Sequence, residues 1–396
     1  MNKNTDVVVI GGGYAGVTAA NRLAHHGDVT VTMVNPRPEF VERIRLHQLA
    51  GGNDDAVVGY GEVLAGNVRL VVDSVTTIDA AGRRLALAGG DTVGYDYLIY
   101  AVGSGSAEPD VPGAAEFAHP IATLEEARRL RPVLAAAPAT APVTVVGSGP
   151  TGIETAAELA EEGRSVTLVC GEELGPYLHP RGRRSVARTL AGLGVTVVAG
   201  PGARVAAVTA DAVRLDDGRE LPSRVTVWAT GFGVPDLAAR SGLRTDAVGR
   251  LLTDETLTSV GDVRIIAAGD AAAPAGMPFR MSCQAAGQLG SRAARTVLSR
   301  IAGERPDPLR LFFAGQCLSL GRRAGIFQFA TRNDRAIPLL LAGGPGAKLK
   351  EFVCKSTVKQ LTNEADKAHK THKAHRNGPR PARDEAPATA TAGRTA

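Results

Sequence analysis

Four consecutive apolar residues, Val7–Ile10, run into "GGGYAG" and then into a segment whose apolar positions recur at helical spacing to about His25. A second apolar run, Val29–Val34, follows. The same order of patterns returns later: strand Val143–Val146, loop "GSGPTG", helix Gly152–Glu162, strand Ser165–Val169. Each loop reads G-x-G-x-x-G, with Gly11, Gly13 and Gly16 in the first and Gly147, Gly149 and Gly152 in the second. A strand that ends in such a loop and opens a helix predicts a dinucleotide fold. The first glycine allows the tight turn, the second lets a pyrophosphate approach the backbone, and the third lets helix and strand pack closely. The helix N-terminus then offers free N–H groups and a partial positive charge to the phosphates.

The echo continues past the loops. "VRLVVDSVTTIDAAGRRLALAGGDTVGYDYLIYAVGS" and "VTVVAGPGARVAAVTADAVRLDDGRELPSRVTVWATGF" share a rhythm of short alternating strands and a Gly-Gly or Asp-Gly turn. Each then closes an apolar strand with a glycine, Gly103 or Gly231. Four features repeating in one order predict an α/β chain with two doubly wound, Rossmann-like domains. Trp228 falls in the strand before Gly231 and is expected in a core.

Charge narrows the function. The chain carries +5, but the segment from Gly344 onward carries +6 and the rest −1. A neutral body with a basic end argues against a nucleic-acid enzyme, whose basic footprint should cover the folded surface. No apolar run reaches 18 residues, so no transmembrane helix is expected. The first strand starts within a few residues of Met1, which leaves no room for a signal peptide and makes the cytoplasm the expected address. The four cysteines, Cys170, Cys283, Cys317 and Cys354, form no C-x-x-C and no Cys/His cluster with zinc spacing. No metal site is expected, and each thiol is expected to be buried and inert.

With these loops, "VRIIAAGDAAA" at 263–273 completes a resemblance to the pyridine nucleotide–disulfide oxidoreductase superfamily of flavoproteins over roughly residues 5–330. The resemblance implies FAD on one loop and a nicotinamide nucleotide on the other, with hydride passing between them. It places FAD on Gly11, Gly13, Tyr14, Ala15, Gly16, Asn35, Arg43, Gly103, Gly269 and Asp270. Asn35 stands where members usually carry Asp or Glu, and its amide oxygen can still accept a ribose hydroxyl. The coenzyme falls to Gly147, Gly149, Gly152, Glu172 and Gly231, and the carboxylates of Glu172 and Glu173 favour NADH over NADPH.

The branch follows from "NPRPEFVERIRLHQLAGG", which lacks the cysteine pair of the disulfide reductases and resembles type II NADH dehydrogenases. "GSGPTGIE" and "RMSCQAAGQLG" fit that branch, implying roles near the flavin for Glu154, Gln284 and Gln288, with Cys283 in an alanine place. A helix from about Ser282 to Arg300 would aim its N-terminus at the flavin. The implied function is a non-proton-pumping NADH:quinone oxidoreductase. Alternatives are a soluble NAD(P)H-dependent reductase of a small metabolite or ferredoxin, an NADH-sensing flavoprotein, and a sulfide:quinone oxidoreductase with two separated cysteines.

The implied domains are residues 1–112 with 236–305 for FAD, 113–235 for NAD(P), 306–362 as a C-terminal module, and 363–396 as a disordered basic tail. Residues 346–361 predict an amphipathic helix, with Leu349, Phe352, Val353, Ser356 and Leu361 on one face and Lys348, Lys355 and Lys359 on another. Such a helix suits a peripheral membrane contact. A homodimer is left open.

Overall fold

A computed structural model gives the fold and describes residues 4–377. The two predicted repeats form two separate five-stranded parallel sheets. The first runs in the order Ile265–Ala267, Tyr97–Tyr100, Thr5–Ile10, Val29–Asn35, Arg69–Val72. The second runs Ala118–Pro120, Val225–Trp228, Pro142–Val146, Ser165–Val169, Thr196–Val198. Each G-x-G-x-x-G strand sits at the centre of its sheet. Both faces of such a sheet are covered, and Val7, Val8 and Val9 are accordingly buried, as are Val143 and Val145.

The duplication extends to detail. After the edge strand Arg69–Val72 or Thr196–Val198 each unit inserts a three-stranded antiparallel sheet: Val75–Asp79, Arg84–Leu87 and Thr92–Gly94 in one, Val205–Val208, Ala212–Leu215 and Glu220–Pro222 in the other. The register slips at Val75/Thr77 and again at Val205/Ala207. Gly103 and Gly231 both turn with left-handed φ, +72° and +73°. Just beyond these turns, Gly105–Ser106 pairs with Phe232–Gly233, so the two crossings between the units form one antiparallel ribbon.

The first helix, Tyr14–Leu23, and the long helix Cys283–Ile301 pack directly on one another. A Cβ at Gly290 would lie 2.2 Å from Ala15 O, so the close crossing requires glycine there. Ser282 caps the long helix, its hydroxyl accepting from Ala285 N–H at 3.2 Å, as its place in the sequence suggests.

The C-terminal part is an antiparallel sheet, Gly315–Leu320, Ala324–Ala330 and Ala336–Gly343, followed by the helix Gly344–Asn377. This corrects the expected tail boundary: residues 363–377 are helical, and 378–396 lie outside the described residues. The reason is a buried stripe at spacings of three and four, with Gly346, Lys350 and Cys354 followed by Leu361, Ala365 and Ala368. Leu361, Ala365 and Ala368 join the core of the first unit. Asn21 Nδ2 donates to Leu361 O at 3.2 Å, and Arg22 pairs with Glu364 at 3.6 Å. Burying Leu361 alone is worth ~2 kcal/mol, and Lys/His-rich composition concealed this.

Candidate functional site

Both glycine loops have the same three-part construction. A Cβ on Gly11 would lie 2.3 Å from Ala101 O, and one on Gly147 would lie 2.7 Å from Ala229 O. Gly16 and Gly152 press their helices onto the turns, with 1.8 and 2.1 Å to the carbonyl oxygens of Gly11 and Gly147. Around Gly13 and Gly149 nothing lies within 4 Å of an added Cβ. The outer glycines close the fold; the middle ones leave the backbone open to a phosphate.

The first loop is braced from behind. Asn35 Oδ1 accepts from Gly12 N–H at 2.9 Å, and Asn35 Nδ2 donates to Arg37 O at 2.8 Å. Tyr60 Oη donates to Gly12 O at 2.8 Å. Asn35 therefore supports the loop directly, beside any ribose contact it makes through the remaining lone pair. Across the cleft, Asp270 follows Gly269, whose φ is +69° and whose added Cβ would touch the Ala15 methyl at 3.0 Å. Asp270 Oδ2 accepts from Ser104 Oγ at 2.7 Å and from Arg43 Nη1 at 3.5 Å; Arg43 Nη1 also reaches Ser104 Oγ at 3.1 Å. Nine of the ten residues assigned to FAD from the sequence, all but Gly16, thus line one cleft, joined by Ser104, which the sequence did not mark.

That cleft opens into a cavity of ≈ 2240 Å³ that reaches Pro150, Glu154, Cys283, Gln284, Lys350 and Phe352. Its volume exceeds the usual range for one small ligand and suits two extended ones meeting end to end. Tyr177, 62 % exposed, stands at its rim.

The cavity floor is a buried charge pair. Glu154 Oε1 lies 2.9 Å from Lys350 Nζ, and both side chains are under one-tenth exposed. Ser319 donates to the same oxygen from its N–H at 2.8 Å and its hydroxyl at 3.2 Å. His47 Nε2 lies 3.0 Å from Ser319 Oγ and 3.5 Å from Gln48 Nε2, and Nδ1 lies 4.0 Å from Glu154 Oε2. Burial alone would raise the Glu154 pKa, but Lys350 and the Ser319 N–H hold the carboxyl below its usual range. Burial would likewise depress Lys350, yet Glu154 holds it well above the usual lysine range. The pair stays charged, and both residues line the cavity. Arg45 locks the supporting segments together, donating to Glu42 at 3.3 Å, Gln48 at 3.1 Å and Glu351 at 3.0 Å.

His47 gives this floor a pH dependence. Burial pushes its imidazole down to about 4, against 6.5 for a free one. The neutral form is the one the fold accepts. The stabilisation is complete above pH 6.5 and is lost as pH falls from 6.5 towards 4, amounting to about 3 kcal/mol. In His47→Gln this part of the acid sensitivity should vanish. Urea unfolding at pH 7 and pH 4.5 measures it: an unchanged difference between the two pH values in the variant would refute this placement.

The sequence-to-family comparison fits this geometry. The family model for pyridine nucleotide-disulphide oxidoreductases matches residues 5–290.

The chain belongs to the pyridine nucleotide-disulphide oxidoreductase family.

It is 32% identical to an NADH dehydrogenase-like protein of Mycobacterium tuberculosis, over 82% of this chain and 87% of that protein. It is 27% identical to the type II NADH:quinone oxidoreductase Ndh of the same organism, covering 81% and 78%. The structure of NDH2 from Plasmodium falciparum in complex with NADH shares the fold, with a TM-score of 0.76 over 96% of this chain and 99% of that one, at 16% identity. This member of the family binds FAD and a nicotinamide nucleotide. The open middle glycines and the Asp270 cleft fit those groups.

One feature of the site differs from the sequence expectation. Only Cys170 and Cys354 are buried; Cys283 and Cys317 are half-buried and line the cavity near Lys350. Burial raises all four thiols, Cys170 to about 12 and Cys354 to about 11, so none is a ready thiolate. Gln288 lines the cavity with Gln284, and its amide is held by Phe312: Nε2 donates to Phe312 O at 2.8 Å and Oε1 accepts from Phe312 N–H at 2.9 Å. Glu154 lines the cavity too, and Lys350, His47 and Ser319 are the partners that sequence reading missed. The signal for Lys350 was present, as a lysine on the stripe that carries Cys354 and Leu361. Among the described residues no group of His, Cys, Asp and Glu is arranged to hold a metal ion.

Proposed function

We propose that the protein is an NADH:quinone oxidoreductase of the non-proton-pumping type, and the buried Lys350–Glu154 pair at the cavity floor is the observation that carries the choice of acceptor. When bound, FAD supplies the two-electron relay between NADH and acceptor. The chain's residues divide the remaining work. Gly13 and Asp270 orient the FAD pyrophosphate and ribityl region from opposite sides of the cleft. Gly149 and the N-terminus of helix Pro150–Glu161 receive the NADH pyrophosphate. Ser282 and the start of the long helix direct a partial positive charge into the cavity, where negative charge accumulates on reduction.

Quinone reduction builds negative charge on an oxygen and consumes protons. Lys350 supplies a fixed cation and N–H donors at that point without having to reorganise. Glu154 and Ser319 keep the ammonium aimed, and His47 remains uncharged behind them. A cavity wall of Leu349, Phe352 and Val353 suits the apolar body of a quinone. NADH oxidation with a short-chain quinone, a ferredoxin or oxygen as acceptor tests the reading. Turnover with quinone should exceed the others by at least tenfold; faster turnover with ferredoxin would favour the soluble reductase.

The acceptor's solubility bears on location. Among the described residues no helix is long and apolar enough to cross a membrane. Leu361 docks on the protein, but Phe352 is 66 % exposed, and Phe312, Leu339 and Leu341 are exposed on the same C-terminal part. Lys348, Lys355 and Lys359 are exposed on the same helix as Phe352. We read this surface as a peripheral contact with anionic lipid, at about 1 kcal/mol per lysine. Anionic vesicles should float the intact protein at low salt. Leu339→Ser with Leu341→Ser should remain unbound while keeping activity on water-soluble quinones. Equal flotation of both proteins would assign the contact elsewhere.

A further inference from the structure

The strand Ser165–Val169 ends near a turn at Gly171, with φ +66°, and the chain then presents Glu172 and Glu173. In this class of fold the residue about 20 positions past the last loop glycine meets the adenosine ribose, where a carboxylate accepts the 2′-hydroxyl and an arginine accommodates a 2′-phosphate. Cys170 holds the strand-end place that Asn35 holds in the first unit, and Glu172 follows it by two residues, just past the turn. The sequence shows only the two carboxylates there; the fold gives each of them an arginine. Glu173 pairs with Arg183. Glu172 Oε1 accepts from Arg204 Nη2 at 2.6 Å.

Arg204 comes from elsewhere in the chain. It follows the neighbouring strand Thr196–Val198, and its Cγ lies 3.9 Å from where a Cβ of Gly171 would stand. Its carbonyl is fixed by Asp216 N–H at 2.9 Å, so the backbone is anchored while the side chain is free to turn. Both members of the pair are about two-thirds exposed or more, 67 % and 73 %. An exposed ion pair of this kind exchanges partners readily. The guanidinium geometry matches a phosphate as well as a carboxylate.

We propose that Arg204 is a binding residue for the 2′-phosphate of NADPH, with the Glu172 carboxylate standing in for that phosphate when NADH is bound. With NADH, Glu172 accepts the ribose hydroxyl and Arg204 neutralises it. With NADPH, the phosphate takes the guanidinium and Glu172 turns to solvent. The protein therefore uses both coenzymes, with NADH ahead by no more than about tenfold. This rests on the reading of the second loop as the coenzyme site.

Binding of ADP and 2′,5′-ADP to the FAD-loaded protein isolates the contact from any redox step. In Arg204→Ala, 2′,5′-ADP should bind at least tenfold more weakly while ADP changes less than threefold. Arg204→Lys should recover part of that loss. Glu172→Gln should tighten 2′,5′-ADP several-fold, and kcat/KM for NADPH should follow the same order. Unchanged 2′,5′-ADP affinity in Arg204→Ala, or an equal loss for both ligands, would overturn the assignment of Arg204 alone. Failure of the wild-type protein to bind ADP would overturn the coenzyme site itself, and this assignment with it.

Discussion

Asp270→Ala is expected to leave the purified protein largely free of flavin. The Asp270 side chain is 15 % exposed, faces the first glycine loop across the cleft, and is held by Ser104 at 2.7 Å and Arg43 at 3.5 Å. Those two partners fix the carboxylate before any ligand arrives, so its contact with FAD costs little reordering. A hydrogen bond to a charged group is worth roughly 1.5–3 kcal/mol, which corresponds to about 10- to 100-fold in FAD affinity. The glycine cradle remains in the variant, so excess FAD should restore binding at higher concentration. The ratio of flavin to protein after gel filtration, followed by FAD titration, gives the answer. A full complement of FAD in the variant would remove Asp270 from the site.

Lys350→Met should separate the two halves of the reaction. It leaves Glu154 buried with only the Ser319 donors and His47 beside it. Breaking a buried pair on one side costs about 3–5 kcal/mol of stability, and the pKa of the stranded carboxyl must rise. Adding Glu154→Gln should recover a substantial part of that stability, because the uncompensated charge is gone. Removing a preorganised donor from a site of developing charge typically costs about 10²-fold in turnover. Quinone reduction should fall by that order in both variants, while NADH consumption in the first half-reaction changes only a few-fold. Thermal unfolding of the wild type and the two variants and single-turnover kinetics check the two parts separately. If Lys350→Met reduced the NADH half-reaction and left the quinone step unchanged, the pair would belong to the coenzyme side.

How much of this was legible in the sequence depends on distance along the chain. The glycine loops, their strands and the capped helix after Ser282 are local patterns, and each formed where the periodicity placed it. Even the paired inserts after Val72 and Val198 follow from the repeated rhythm. Asp270 was visible because its strand ends in a recognisable Gly-Asp. The cavity floor was not visible, because His47, Glu154, Ser319 and Lys350 come from four segments that only the tertiary fold brings together. Arg204 was hidden for the same reason, one strand away from the carboxylate it pairs with. The C-terminal helix past residue 362 was obscured differently: its lysines and histidines dominate the composition, while the small residues that bury it, Ala365 and Ala368, carry little hydrophobic signal. Their spacing, rather than their character, marked the packed face.

Rapid mixing of the flavin-loaded protein first with NADH and then with a short-chain quinone tests the central claim most directly. The visible flavin band should bleach with NADH in a saturable phase and return on adding quinone, with both steps at least as fast as steady-state turnover. A band that bleaches but is not restored by quinone faster than by dissolved oxygen would contradict the account.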